Sequence, residues 1–460
     1  MVKVHWLLAL ATLFLFSCKI QTYEISEQSL TQRIGNRYYI DVGTIEKLPS
    51  EKATFTVKTD SFLYLRGEDE LRLKTGWTLQ GGTGREEIIK EYSITTAAIR
   101  VVNASEIKVE NLILKGEIYA DSNRQALILI DNLGDHNNGI LIENVKLYDY
   151  YSGVWIRRGE NVTINRCTLV GNGHQVYLGF LPTDRNEIAN YVVDNVDIQN
   201  TTITNGRGGV GEDGVKTLSN CTNILIQGCA ISNNPGDAID LYPGGVDVKI
   251  IDNQLTNNGV HGVEVKMNRE YLPAQTGQIS AVLIERNRII GNQFTGITVL
   301  NDTATPYYAK GIKVVNNIID SSRKQGIYAE LPLEIIGNTF NYNGRDVRTT
   351  PSGKTLGFQG VFFYKSDKKE LISFRKNTIT DQAPVNSIDG VYWLGFTEVV
   401  SPVMVDSNYF QVTEDFLRQY ATKPYGISFY NSIAPASKDS IERANRFSDR
   451  LIPKVNVENN

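Results

Sequence analysis

Residues Glu212 to Lys266 read EDGVKTLSNCTNILIQGCAISNNPGDAIDLYPGGVDVKIIDNQLTNNGVHGVEVK. One short pattern occurs there three times: Asp213-Gly214-Val215-Lys216, Asp237-Ala238-Ile239-Asp240 and His261-Gly262-Val263-Glu264. Each copy starts 24 residues after the last. A constant period of this size, rich in Val, Ile and Asn, predicts a solenoid of parallel strands. Residues one period apart then stack at a spacing of roughly 4.8 Å. Asp213, Asp237 and His261 form one column, and Lys216, Asp240 and Glu264 form the next.

Outward from this stretch the same texture continues. From Ala53 the chain alternates apolar and polar residues between Gly and Asp turns (ATFTVKT, FLYLRG), which is strand patterning. From Ala97 each unit holds short strands with Asn, Gly or Asp at the corners. Asn253, Asn317, Asn338, Asn377 and Asn408 share one place in successive units, with Cys167 and Cys229 holding it earlier. A buried Asn is costly unless its amide is paired, so these residues predict a structural asparagine ladder. A Gly-aliphatic pair opens one strand at Gly153, Gly214, Gly262, Gly296, Gly326, Gly360, Gly390 and Gly426. Longer insertions follow that strand at Gly179–Asn190, Met267–Ser280 and Asn301–Ala309. Insertions at one corner map to one face, so they are expected to wall a groove beside the charged columns. The fold class is therefore all-β: a parallel β-helix over residues 53–435, with a tether and N-terminal cap over 19–52 and a C-terminal cap over 436–460.

The net charge of −4 over 460 residues argues against a general nucleic-acid binder. At the N-terminus, Lys3 precedes an apolar run from Trp6 to Phe16 and then Leu15-Phe16-Ser17-Cys18. That arrangement describes a secretory signal. Its ending on Cys resembles the bacterial lipoprotein lipobox, which implies a signal peptide over 1–18, lipidation of Cys18 and a lipid-anchored chain of the bacterial outer membrane. An ordinary signal peptide with a chance Cys is the alternative. Three cysteines remain, an odd number that argues against a disulfide framework. Cys167 and Cys229 precede strand-like runs and are expected as buried thiols.

Strands, Asn ladder, corner insertions and export together resemble the right-handed parallel β-helix of the pectate-lyase superfamily. A local match is sharper. Asp213, followed one coil later by Gly236-Asp237-Ala238-Ile239-Asp240, resembles the calcium site of family 9 polysaccharide lyases. There a lone Asp precedes an Asp-Asp-Gly-x-Asp run. Gly236 stands where that family has its first paired Asp, and Glu264 stands where it has its catalytic Lys, with Lys266 two residues on. Glu264 followed by Lys266 also resembles the chondroitinase B/alginate lyase family, in which glutamates bind calcium near a Lys base. The resemblance implies a polysaccharide lyase acting as a monomer on an acidic polysaccharide or oligosaccharide.

The residues support two accounts of the carboxylates. Asp213, Asp237, Asp240 and Glu264 crowd together, and like charges at short range force protonation or call for a cation. Ca²⁺, a hard ion taking oxygen ligands, is one resolution. A metal-free ladder is the other, with Lys216 neutralising Asp240 and His261 capping Asp237. A β-elimination on a uronate needs its carboxylate neutralised, a base for the C5 proton and a proton source for the leaving oxygen. Lys266 is the expected base, Arg269 a carboxylate partner and His261 a further catalytic candidate. Arg207, Lys216, Tyr242, His174 and Tyr177 are candidate substrate-binding residues. A polygalacturonase-like hydrolase and a non-catalytic carbohydrate-binding solenoid are the competing classes. The Arg-x-Lys of such hydrolases is absent after His261.

Overall fold

The computed structural model describes residues 20–458 apart from 49–51, 118–124, 134–138, 181, 183–184, 219, 243–244, 267–280, 302–309, 350–354, 358–359, 367–368, 383–391, 416–424, 431, 433–437 and 449–454. Short strands of three to seven residues pair in parallel with the strand one coil earlier and one coil later. They build three faces. One is a 16-stranded sheet. The other two are joined because the strand Ser152–Asn165 runs around a corner and pairs on both faces.

Strand alternation explains the core. In Ile239–Leu241, Ile239 and Leu241 point inward while Asp240 faces the other way. One continuous apolar core results, running from Ile25 to Val455. A second, small cluster of Ala97, Ala126, Leu129 and Trp155 lies outside it, with Tyr177 and Phe180 packed on it.

The Asn ladder is present and longer than the sequence suggests. Asn253, Asn287, Asn317, Asn338, Asn377 and Asn408 each pass hydrogen bonds to the next coil, and the ladder ends on Asn445. A parallel ladder runs through Asn234, Asn258 and Asn292. Cys167, Cys221 and Cys229 are buried free thiols, and burial pushes them up to about 11, 12 and 11. The recurring Gly residues answer a close approach between coils. A Cβ on Gly296 would meet the Gly326 carbonyl oxygen at 2.6 Å, and one on Gly214 would meet that of Ala238 at 2.6 Å. Gly390 lies outside the described residues.

The stack of coils reaches beyond the stretch read from the sequence. Gln21–Ile25 already pairs in parallel with Ala53–Val57. An antiparallel hairpin, Thr31–Ile34 with Arg37–Ile40, and a short helix, Val42–Glu46, lie between them. At the other end, after the helix Lys438–Ala444, Arg446–Phe447 and Val455–Glu458 add parallel strands. A first coil has no predecessor, so no period announces it. The segment 1–18, with Cys18, lies outside the described residues, among which no helix is long and apolar enough to cross a membrane.

Candidate functional site

The charged columns form as their spacing requires. On one face, Lys216 pairs in register with Asp240, Asp240 with Glu264 and Glu264 with Thr298. The neighbouring column is tied by side chains that each accept a backbone N–H from the next coil. His174 Nδ1 takes that of Asp213 at 3.3 Å. Asp213 Oδ1 takes that of Asp237 at 2.7 Å, and Asp237 Oδ1 that of His261 at 2.6 Å. His261 Nδ1 takes that of Thr295 at 3.3 Å. Asp237 is thus capped by the backbone of His261, not by its ring.

This column sets the histidine tautomers. A ring nitrogen that accepts an N–H carries no proton, so in the neutral ring Nε2 does. Burial, with Lys216 adding to it, pushes His174 down to about 3. Burial and then Lys324 push His261 down to about 4. Both rings are therefore neutral at ordinary pH, and both present Nε2–H. That of His174 faces Glu212 Oε2 at 3.2 Å. The accepting nitrogen of His261 is already engaged, so what this ring can offer a substrate is a hydrogen-bond donor.

Lys216 is also committed. Its Nζ lies 2.9 Å from Asp213 Oδ2 and 2.5 Å from Asp240 Oδ2. Burial works against its charge, but the two carboxylates outweigh burial and raise the ammonium above its usual value. The carboxyls bear the cost. Burial, opposed by Lys216 and reinforced by Asp240, pushes Asp213 up to about 7. Burial with Asp213, Asp240 and Glu264 raises Asp237 well above the carboxylate range. Burial raises Asp240 despite Lys216, and burial with Asp240 pushes Glu264 up to about 7.

The donor set is compatible with a divalent cation. Ligand oxygens of Asp213, Asp237 and Asp240 all lie within 4.8 Å of one another. Asp240 Oδ1 is buried with no hydrogen-bond partner. Asp213 Oδ1 accepts the Asp237 N–H and its Oδ2 faces Lys216, but each oxygen keeps a second lone pair, so Asp213 stays in the donor set, with Glu264 beside Asp240 in register. Four carboxyls face two ammoniums, Lys216 and Lys266, which leaves an excess of acid.

The other candidates divide. Lys266 ends the strand Val263–Lys266, with its Nζ 4.9 Å from the Tyr242 ring centre. Lys216 lies 5.8 Å from the same ring, so Tyr242 joins the cluster. Tyr177 stacks on His174 at 4.5 Å, and burial raises its hydroxyl. Arg207 pairs with Asp149 at 2.8 Å, at a corner of the coil. The guanidinium remains half exposed. Arg269 lies outside the described residues. Sequence reasoning missed Glu212 and Lys324, although Glu212 stands directly before Asp213. It also missed Tyr328 and Phe362, which continue the column of Lys216 through Thr298. Carrying the register three coils beyond Glu264 would have found them.

Residues 97–306 and 185–379 match the family described as right handed beta helix region. Together these stretches cover more than half of the chain, which belongs to that family and is a right-handed parallel β-helix. Among solved structures, the chain is similar to the catalytic unit of the GH87 alpha-1,3-glucanase of Streptomyces thermodiastaticus. The identity is 11%, the TM-score is 0.51, and the match covers 91% of this chain and 64% of that one. It is similar to the mannuronan C-5 epimerase AlgE4 A-module of Azotobacter vinelandii at 13% identity, with a TM-score of 0.45 and coverage of 88% and 91%. Pectate lyase Pel9A matches at 12% identity, with a TM-score of 0.40 and coverage of 85% and 79%. At these identities the likeness is one of fold. No curated protein matches the sequence.

Proposed function

We propose that this chain is a lyase that cleaves a uronate-containing polysaccharide by β-elimination, with Lys266 as the base. The observation that carries the reading is the cluster of acids and ammoniums on successive coils, in which the two lysines are not equivalent. Lys216 is locked between Asp213 and Asp240. Among the described residues Lys266 makes no ion pair and lies beside Tyr242. In its amine form Lys266 takes the C5 proton, the freed pair forms the C4–C5 double bond, and the C4–O bond breaks. Tyr242 returns a proton to the leaving oxygen, and the Nε2–H of His261 can offer that oxygen a hydrogen bond. A Ca²⁺ held by Asp213, Asp237 and Asp240, with Glu264 as a further ligand, would neutralise the uronate carboxylate and so acidify C5. Arg269 is proposed as a further partner of that carboxylate.

A panel of acidic polysaccharides tests the reading. A lyase makes an unsaturated product absorbing in the near ultraviolet, a hydrolase makes only new reducing ends, and a binding protein makes neither. Lys266→Ala should lower turnover by roughly 10² or more while substrate still binds. Near-normal turnover in that variant would remove Lys266 from the mechanism. Calorimetric titration with Ca²⁺, repeated on Asp240→Asn, tests the cation: heat in the parent and none in the variant is the expected pair. Export and anchoring through Cys18 are proposed as well, and Cys18→Ser should abolish acylation by a labelled fatty acid.

A further inference from the structure

The column that carries the charged cluster is unlike at its two ends. Toward the N-terminal coils it continues through Tyr177 to Trp155. There the protein's own side chains fill it. Trp155 is buried, and its Nε1 donates to the Gly179 carbonyl at 2.9 Å. The loop that leaves at Gly179 lays Phe180 6.0 Å from Trp155, and Tyr191 stands 4.7 Å from Phe180. Arg157, 3.4 Å from Asp131, covers Phe180 at 4.4 Å. Tyr177 and His174, stacked face to face, complete this closed end.

Toward the C-terminal coils the same column borders a cleft. Thr298, Tyr328 and Phe362 follow Glu264 in register. They line a cleft of about 680 Å³ that begins at His261 and also takes in Phe294, Lys324 and Tyr364. Tyr328 and Phe362 lie 5.9 Å apart, and Phe362 and Tyr364 lie 6.0 Å apart. Tyr328 and Phe362 stand on successive coils and Tyr364 on the strand of Phe362, with the Lys324 ammonium and the Glu398 carboxylate in the same lining. Aromatic faces of this kind stack on the apolar faces of sugar rings, and the ammonium suits an acidic substituent. From Glu264 to the coil after Phe362 the distance is about 19 Å at roughly 4.8 Å per coil, room for about three or four sugars.

We propose that the enzyme acts at chain ends. The terminal unit is held at the charged cluster against the closed aromatic wall, and the rest of the polymer runs along the C-terminal coils over Tyr328, Phe362 and Tyr364. The proposal deepens the lyase reading and rests on the same cluster as the reacting centre. Its test uses size-defined acidic oligosaccharides of the polymer that the enzyme degrades. Product sizes are followed from the first turnovers, together with the viscosity of the intact polymer. One short product of constant size, with viscosity falling slowly, is expected. A ladder of sizes with an early collapse of viscosity would overturn the proposal. Tyr328→Ala and, separately, Tyr364→Ala should each weaken binding of the longer oligosaccharides by about three- to tenfold and leave that of the shortest unchanged. Equal affinities in parent and both variants would also overturn it. Near-ultraviolet absorption of the product judges the lyase chemistry on its own, so reducing ends without absorption would refute β-elimination while the product sizes still decide where the chain lies.

Discussion

Lys90 shows how one side chain can replace a whole set of backbone partners. It is fully buried, and its Nζ donates to the carbonyls of Arg66, Gly67 and Asp69 at 2.9, 2.6 and 2.5 Å and to Thr96 Oγ1 at 3.0 Å. These carbonyls belong to a turn outside the strands, where Arg66 O also accepts the Asp69 N–H at 3.1 Å and Gly67 O the Thr96 hydroxyl at 2.6 Å. Burial pushes the ammonium down to about 8 from its ordinary 10.5. The unfolded chain keeps this proton up to about 10.5 and the folded chain only to about 8. Between those values the unfolded state binds more protons, so this group makes stability rise with pH. The stability difference between the parent and Lys90→Met should move in the parent's favour by up to about 3 kcal/mol across that window. Denaturant titrations at several pH values measure it, and the comparison cancels groups common to both chains. A flat difference would mean that the ammonium is not driven down.

At the scale of the element, the unit of stability is the corner as much as the strand. Each strand of three or four residues gains little by itself, and the Asn side chains knit one turn to the next. Asn317 shows the bookkeeping of bonds. Its Oδ1 accepts from the backbone N–H and the Nδ2 of Asn287, and its own Nδ2 donates to Ile284 O at 2.8 Å and Asn338 Oδ1 at 2.9 Å. Asn317→Ala strands a buried N–H and carbonyls on three coils, at a cost of roughly 2–4 kcal/mol. Asn317→Asp keeps the acceptor but loses the donor and buries a charge, so it should destabilise at least as much at neutral pH. Chemical denaturation of both variants checks the order. A loss under about 0.5 kcal/mol in Asn317→Ala would show that water replaces the amide.

Across the whole molecule, one core threads every coil and each coil touches only its neighbours. Cys167, Cys221 and Cys229 lie on coils close to the charged cluster and are sealed in that core. Burial raises their thiols to about 11 or 12, so thiolate is scarce at neutral pH. An aromatic disulfide reagent should leave all three unmodified in the native protein. In rising urea they should become reactive together, at the midpoint of the circular-dichroism transition, if this part of the solenoid opens as one unit. Earlier labelling of one thiol, located by mass spectrometry, would mark a coil that opens by itself.

The period of 24 residues between Asp213, Asp237 and His261 determined more than the fold class. In a stack of coils a constant period is a contact map, because residues one period apart must be neighbours. The pairing of Lys216 with Asp240 and Glu264 was therefore legible from spacing, and so was the purpose of Asn253, Asn317, Asn338, Asn377 and Asn408. What no spacing encodes is which atom of a side chain is already used. That His261 Nδ1 receives the Thr295 N–H, and that the Asp213 oxygens meet the Asp237 N–H and Lys216, depends on how neighbouring coils are rotated and seated. The two ends of the groove were likewise beyond the sequence. Phe180, on the loop that leaves at Gly179, lies against Trp155, while Tyr328 and Phe362 line a cleft. Such contacts join residues that share no repeat, so only the tertiary structure, where apolar surface finds whatever covers it, could decide them.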